Sequence, residues 1–215
     1  MLLTGVGPAR AARALDRRLA NGPLPDLVVS SGFAGALTPT LALSSWVTGA
    51  RVSEWNASES AAVEVAGLVL VCALGLERCD VISSSTLVVP GASFPSARDH
   101  TRAGAAPRAP LVVDMESAAL AREARRRGVP FAVARLVSDT PAHPMPAFMA
   151  PFAAALAGEA AASRLVAAGR GVCAAVTAPR AVARFLRESS TWLRALEDGW
   201  MRLAIAGAWR SALRT

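Results

Sequence analysis

A chain of 215 residues with 53% hydrophobic content can bury one substantial core, so one domain with at most an appendage is expected. Its three cysteines, Cys72, Cys79 and Cys173, are odd in number, lack metal-ligand spacing and lie far from His100 and His143, which argues against a disulfide framework or a metal cluster and for free thiols in a reducing cytoplasm. The net charge of +7 comes from 23 basic residues that are all arginine, scattered and without interleaved aromatics, which excludes a nucleic-acid surface, and the longest apolar stretch, 61–76, is broken by Glu64 and too short to span a bilayer.

In chain order, Leu2-Leu3-Thr4-Gly5-Val6-Gly7 reads as a strand end running into a glycine turn, and Ala9 to Ala20 as an Ala/Arg/Leu helix. Leu27-Val28-Val29 reads as a strand entering a second glycine-rich turn, Ser30-Ser31-Gly32-Phe33-Ala34-Gly35. Two such turns imply a sheet whose ligand edge is built from glycine loops, where missing side chains let backbone N–H groups approach a ligand. Trp46 to Val52 is strand-like. Periodicity leaves 57–76 open between strand and helix, and its length favours helix. Val81 to Val89 reads as a strand, Pro90-Gly91-Ala92-Ser93-Phe94 as a turn, and 97–110 as an irregular, Arg-rich connector.

The next stretch, Val112-Val113-Asp114-Met115-Glu116-Ser117-Ala118-Ala119-Leu120, places two carboxylates where a short β-type run becomes an Ala-rich helix. That helix ends at Gly128, Pro130 prevents its renewal, and Phe131 to Val137 is a further apolar run ending in Ser138-Asp139. The pattern is a βαβ unit. Its strands are expected to run parallel, so that Glu116 and Asp139, just beyond the two strand ends, share the ligand-binding edge. A plainer reading stays open: Asp114 or Ser117 caps the helix, Glu116 is favoured by its dipole, and Asp139 starts a turn before Pro141.

After a loop from Pro141 to Pro146, every segment to Thr215 reads as helix, with breaks near Gly169-Gly171 and Pro179. Trp192, Leu196, Trp200 and Leu203 fall on one helical face, with Arg194, Glu197, Asp198 and Arg202 elsewhere. Core or subunit packing and an interfacial position against lipid both fit that stripe.

From Thr4 to about Gly169 the chain resembles the nucleoside phosphorylase and nucleosidase superfamily, most closely the branch containing methylthioadenosine/S-adenosylhomocysteine nucleosidase. The residues that carry this are TGVGPARAA, PDLVVSSGFAGALTPTL, the GASF turn, VVDMESAALA and VPFAVARLVSD. The resemblance implies a three-layer α/β/α fold with a mixed, partly closed central sheet (1–169), followed by extra C-terminal helices (170–215). It also implies a homo-oligomer acting on a small nucleoside, with no metal or cofactor. Transferred residue by residue, it makes Asp139 the general acid toward the purine ring nitrogen and Glu116 the acceptor of the ribose hydroxyls. Met115 would pack on the sugar, Phe94 would stack on the base, Ala34 and Gly35 would line the sugar side, and Ser138 would lie beside the acid. Cleaving an N-glycosidic bond leaves positive charge on the ribose and negative charge on the base, which is why one ionised and one protonated carboxyl suit it.

Three departures qualify the expectation. The family has a strand and an acidic loop ahead of the TGVG turn, whereas this sequence starts at that turn. Phe33 stands where the nucleosidases usually have serine, and Ala92 where the GASF turn usually has aspartate. Relatives that use phosphate tend to place arginine and serine where Ser30 and Phe33 stand, which favours water as nucleophile. The C-terminal composition is similar to that of hopanoid-associated phosphorylases, which act on an adenosyl group attached to a polycyclic lipid. That leaves as alternatives an adenosylhopane-type enzyme in contact with a membrane through its C-terminal helices, and a nucleoside-binding relative without catalysis.

Overall fold

The computed structural model describes residues 2–55, 63–66, 75–88, 109–158 and 160–206. Helix α1 (Pro8–Ala20) is followed by strands β1 (Val28–Ala36), β2 (Trp46–Glu54), β3 (Val63–Glu64), β4 (Glu77–Ser83) and β5 (Leu111–Asp114). Then come α2 (Ser117–Arg126), β6 (Phe131–Asp139), α3 (Met149–Ala157), α4 (Ala161–Val176) and α5 (Pro179–Ala206).

The sheet order is β3-β2-β4-β5-β1-β6, and a further pairing of β6 with β2 closes the sheet on itself. It is mixed: β4 is parallel to β2 and β5, β1 is parallel to β6, and the pairs β1–β5 and β2–β6 are antiparallel. All nine residues of β6 are buried, the mark of a strand covered on both faces. One face carries the main core, where Ala11, Leu15 and Leu19 of α1 and Ala118, Leu120, Ala121 and Ala124 of α2 meet Val133 and Val137 of β6. On the other face Ala132 and Ala134 meet Leu27, Trp46 and Trp200, the last from α5. Helices on both faces of a mixed sheet make the three-layer α/β/α architecture.

Several local expectations are corrected. Residues 2–4 form no strand, and Leu3 is 84% exposed. Ser30 to Gly35 is not a turn: β1 runs through it to Ala36, held by β6 along 28–35 and by β5 at 35–36. Two ladders outweigh the local glycine content. Within 57–76, Val63–Glu64 is a strand paired with β2, and the rest falls outside the described residues apart from a short non-helical stretch at 65–66 and 75–76. Strand β4 starts four residues before Val81 and ends at Ser83 rather than Val89. The predicted turn at 90–94 and most of the 97–110 connector lie outside the described residues.

The largest correction concerns the βαβ unit. Its strand, helix and strand are present as β5, α2 and β6, but β1 lies between the two strands, antiparallel to β5 and parallel to β6, so β5 and β6 run in opposite directions. Their ends are brought together by β1 instead. Gly35 has Val113 as its partner on one side and Asp139 on the other, two strand spacings or about 10 Å apart.

In the C-terminal region, Gly169-Gly171 does not interrupt α4, which also runs unbroken across position 169, where the sequence suggests a boundary. Gly171 is buried there against the ring of Phe152. The break comes at 177–178, ahead of Pro179. The Trp192 face of α5 packs inward: Trp192 is buried, Trp200 joins the second core, and the Trp46 indole lies against Gly199 and donates to the Ala195 carbonyl at 3.3 Å. That face is core. Among the described residues no single helix is long and apolar enough to cross a membrane.

Candidate active site

The β5–α2 junction carries Asp114, Met115 and Glu116, and its backbone is fixed by hydrogen bonds from neighbouring strands. Asp114 is 5% exposed and accepts from the Ser83 hydroxyl (2.5 Å) and the Ser117 N–H (3.2 Å) on Oδ1, and from Arg135 Nε (2.9 Å) and Nη2 (2.7 Å) on Oδ2. Ser83 in turn accepts the Ala118 N–H at 2.8 Å, so two of the otherwise free donors at the start of α2 are satisfied by side chains. The N-cap position itself is Glu116, not Asp114 or Ser117 as the plainer reading has it; Asp114 satisfies the Ser117 N–H from two residues ahead of the cap.

Glu116 is used differently. Its Oε1 accepts the Gly7 N–H at 2.8 Å, which places the carboxylate at the N-terminus of α1, where the helix dipole favours negative charge. Gly7 has φ +96°, a conformation that suits glycine, and a Cβ there would stand 3.0 Å from Cβ of Ala157. The glycine turn is thus wedged between Glu116 and α3. Burial pushes the Glu116 carboxyl above its ordinary range, and the Gly7 N–H pulls it back.

Asp139 ends β6 and is 7% exposed. Its Oδ1 accepts the Ser138 hydroxyl at 2.8 Å, and a Cβ at Gly35 would stand 2.6 Å from its Oδ2. Only a residue without a side chain permits that approach. Burial raises the Asp139 carboxyl from 3.8 to about 6, with the Ser138 hydroxyl acting in the opposite direction.

Of the residues singled out from sequence, the structure brings Ala34, Gly35, Ser138 and Asp139 into one contact group, with Met115 buried and Glu116 half-buried at the adjoining junction. Phe94 lies outside the described residues. Phe33 packs on Trp192, their ring centroids 6.5 Å apart. Sequence reasoning missed Arg135, a 2% exposed cation whose Nη2 also lies 2.8 Å from both Ser30 Oγ and Ser117 Oγ. A charged residue in the middle of the otherwise apolar run 131–137 was the available signal. Among the described residues no group of three or more His, Cys, Asp or Glu side chains converges to hold a metal.

Comparison with known proteins fits this geometry. A search of curated proteins found no match. Among solved structures, the chain is similar to a 5′-methylthioadenosine/S-adenosylhomocysteine nucleosidase from Neisseria meningitidis bound to methylthio-immucillin-A (20% identity, TM-score 0.55, 81% of this chain and 78% of that one). A putative methylthioadenosine nucleosidase from Weissella paramesenteroides aligns with 21% identity and TM-score 0.53 over 80% and 75% of the two chains. The methylthioadenosine/S-adenosylhomocysteine nucleosidase from Colwellia psychrerythraea in complex with adenine aligns with 20% identity and TM-score 0.52 over 64% of each. The chain spans 63% to 66% of the length of Helicobacter pylori nucleosidases that it matches. At these identities the structures establish the fold. The family profile described as the phosphorylase superfamily matches residues 68–177, just over half of the sequence, and with the mixed closed sheet and the β5–α2 and β6 ends beside Gly35 it leads to one conclusion: the chain belongs to the phosphorylase superfamily.

Proposed function

We propose that this protein cleaves the N-glycosidic bond of a purine nucleoside or a 5′-substituted adenosine. The observation that carries the reading is Asp139: a carboxyl buried against Gly35 without a cationic partner among its named contacts, with its proton held up to about 6. In this role Asp139 gives a proton to the purine ring nitrogen as the bond to the sugar lengthens. Ser138 holds the acid in place. Glu116 accepts the ribose hydroxyls and offsets positive charge growing on the sugar, Met115, Ala34 and Gly35 shape the sugar side, and Phe94 stacks on the base. Water is the nucleophile in this reading. Support comes from the two places where phosphate-using relatives tend to carry ligands: Ser30 is engaged by Arg135, and Phe33 is packed on Trp192.

The decisive assay is incubation with purine nucleosides and 5′-substituted adenosines, with and without phosphate, followed by chromatography for free base. Base released equally well without phosphate is expected; no release from any of them would sink the proposal and favour a binding protein without catalysis.

Self-association and peripheral membrane contact belong to the same reading, together with a cytoplasmic location. What supports contact of either kind is α4, where Leu165, Val172 and Val176 are each more than half exposed and no acidic residue occurs from Ala161 to Val176. Sedimentation velocity and flotation with vesicles containing an adenosyl-lipid separate the two.

A further inference from the structure

Arg135 is buried four residues before Asp139 on β6, with an irregularity in the pairing to β1 between them, where Val137 faces Ala34 and Asp139 faces Gly35. Its guanidinium holds Asp114, two residues before Glu116, and Ser117, one residue after it. Ser30 on β1 completes the set, its Oγ 2.8 Å from the same Nη2. Glu116 itself accepts the Gly7 N–H. The turn that presents Glu116 is therefore held on both sides by one buried cation.

We propose that Arg135 is a positioning residue for Glu116: through Asp114 and Ser117 it sets where the Glu116 carboxylate lies, both toward Gly7 and toward the ribose. The catalytic half of this statement rests on the proposed function; the structural half does not. One strand then carries both the proposed proton donor and, four residues earlier, the clamp for the other carboxylate. The chemistry favours arginine at this place. Nε and Nη2 of one planar guanidinium grip the Asp114 carboxylate together, whereas a lysine ammonium at the end of a flexible stem keeps the charge but not that paired grip.

The test uses the full chain, wild type and Arg135→Lys, with two readouts. Amide hydrogen exchange at Gly7 reports whether Glu116 still sits at the start of α1. It is expected to quicken by about tenfold or more in the variant while amides of β4 such as Val81 keep their protection. In the nucleoside assay the variant is expected to show KM raised by roughly tenfold, with a smaller fall in kcat, because binding of the sugar is what Glu116 contributes before the bond breaks. Unchanged exchange at Gly7 overturns the proposal. Exchange quickened everywhere also overturns it, since Arg135 would then serve only the fold. A wild type that releases no base defeats the functional reading alone, and the exchange result still decides whether Arg135 positions Glu116.

Discussion

Asp114 and Asp139 end strands that flank β1 in the closed sheet, and both are more than nine-tenths buried, yet their surroundings differ in kind. Asp114 receives four donated hydrogen bonds, two of them from a guanidinium. Asp139 receives one, from the hydroxyl of the preceding serine. A buried carboxylate without a cation is costly, so the group keeps its proton instead. The difference sets an acid engaged in a buried ion pair, Asp114 with Arg135, apart from the acid proposed to carry the transferable proton, Asp139.

Breaking the Asp114 side should have the largest effect on the fold. Asp114→Ala leaves Arg135 buried and uncompensated, and the expected loss is about 3–5 kcal/mol in denaturant unfolding. A loss below about 1 kcal/mol would mean that water reaches the pair and that the contrast with Asp139 is weaker than drawn. Breaking the Asp139 side should instead spare the fold and remove the chemistry. Asp139→Asn keeps size and hydrogen bonding, so turnover should fall by roughly 10²- to 10⁴-fold while nucleoside binding persists in calorimetry.

The pH dependence sharpens the same contrast. Because the Asp139 carboxyl is raised from 3.8 to about 6 on folding, the native state holds a proton that the unfolded chain has released across that interval. Its contribution to stability is therefore present below about pH 4 and lost as pH rises to about 6, by up to about 3 kcal/mol. Asp139→Asn has no such loss, so it should match the wild type at pH 4 and exceed it at pH 8 in denaturation midpoint. The rate of base release should in turn fall as pH rises through about 6, as the acid empties. A variant less stable than wild type at pH 8 would show that the charged carboxylate is stabilised by something other than Ser138.

Much of the fold was legible because the strands β2, β4 to β6 and the helix α2 announce themselves by apolar runs and by Gly128-Val129-Pro130. The sheet's connectivity was not, since nothing in 111–139 reveals that β1 inserts between β5 and β6. Pairing between distant segments is decided by the closure of the whole sheet, not by local pattern. Gly35 shows why the same sequence was half-read. By sequence its glycine reads as a turn signal, whereas it is needed in a strand for the approach of Asp139. Arg135 was passed over because its partners, Ser30, Asp114 and Ser117, come from three other segments. The Trp192 stripe was seen as a face, and the structure shows it turned into the core.

Glu116 lies between the two extremes, and its substitution should have the smallest effect on stability. Glu116→Gln keeps an oxygen to accept the Gly7 N–H but removes the charge at the N-terminus of α1. Loss of the charge–dipole attraction costs about 0.3–1 kcal/mol, and relief of the burial penalty that pushes this carboxyl upward acts in the opposite direction. The two nearly cancel, so the midpoint of unfolding should move by no more than about 1 kcal/mol either way. Function should respond more strongly than the fold: a neutral acceptor binds the ribose hydroxyls more weakly and no longer offsets positive charge on the sugar, so KM should rise and kcat should fall together. That pattern differs from Asp139→Asn, where binding survives. Wild-type kinetics in a folded Glu116→Gln protein would remove Glu116 from the site and leave it as the anchor of α1.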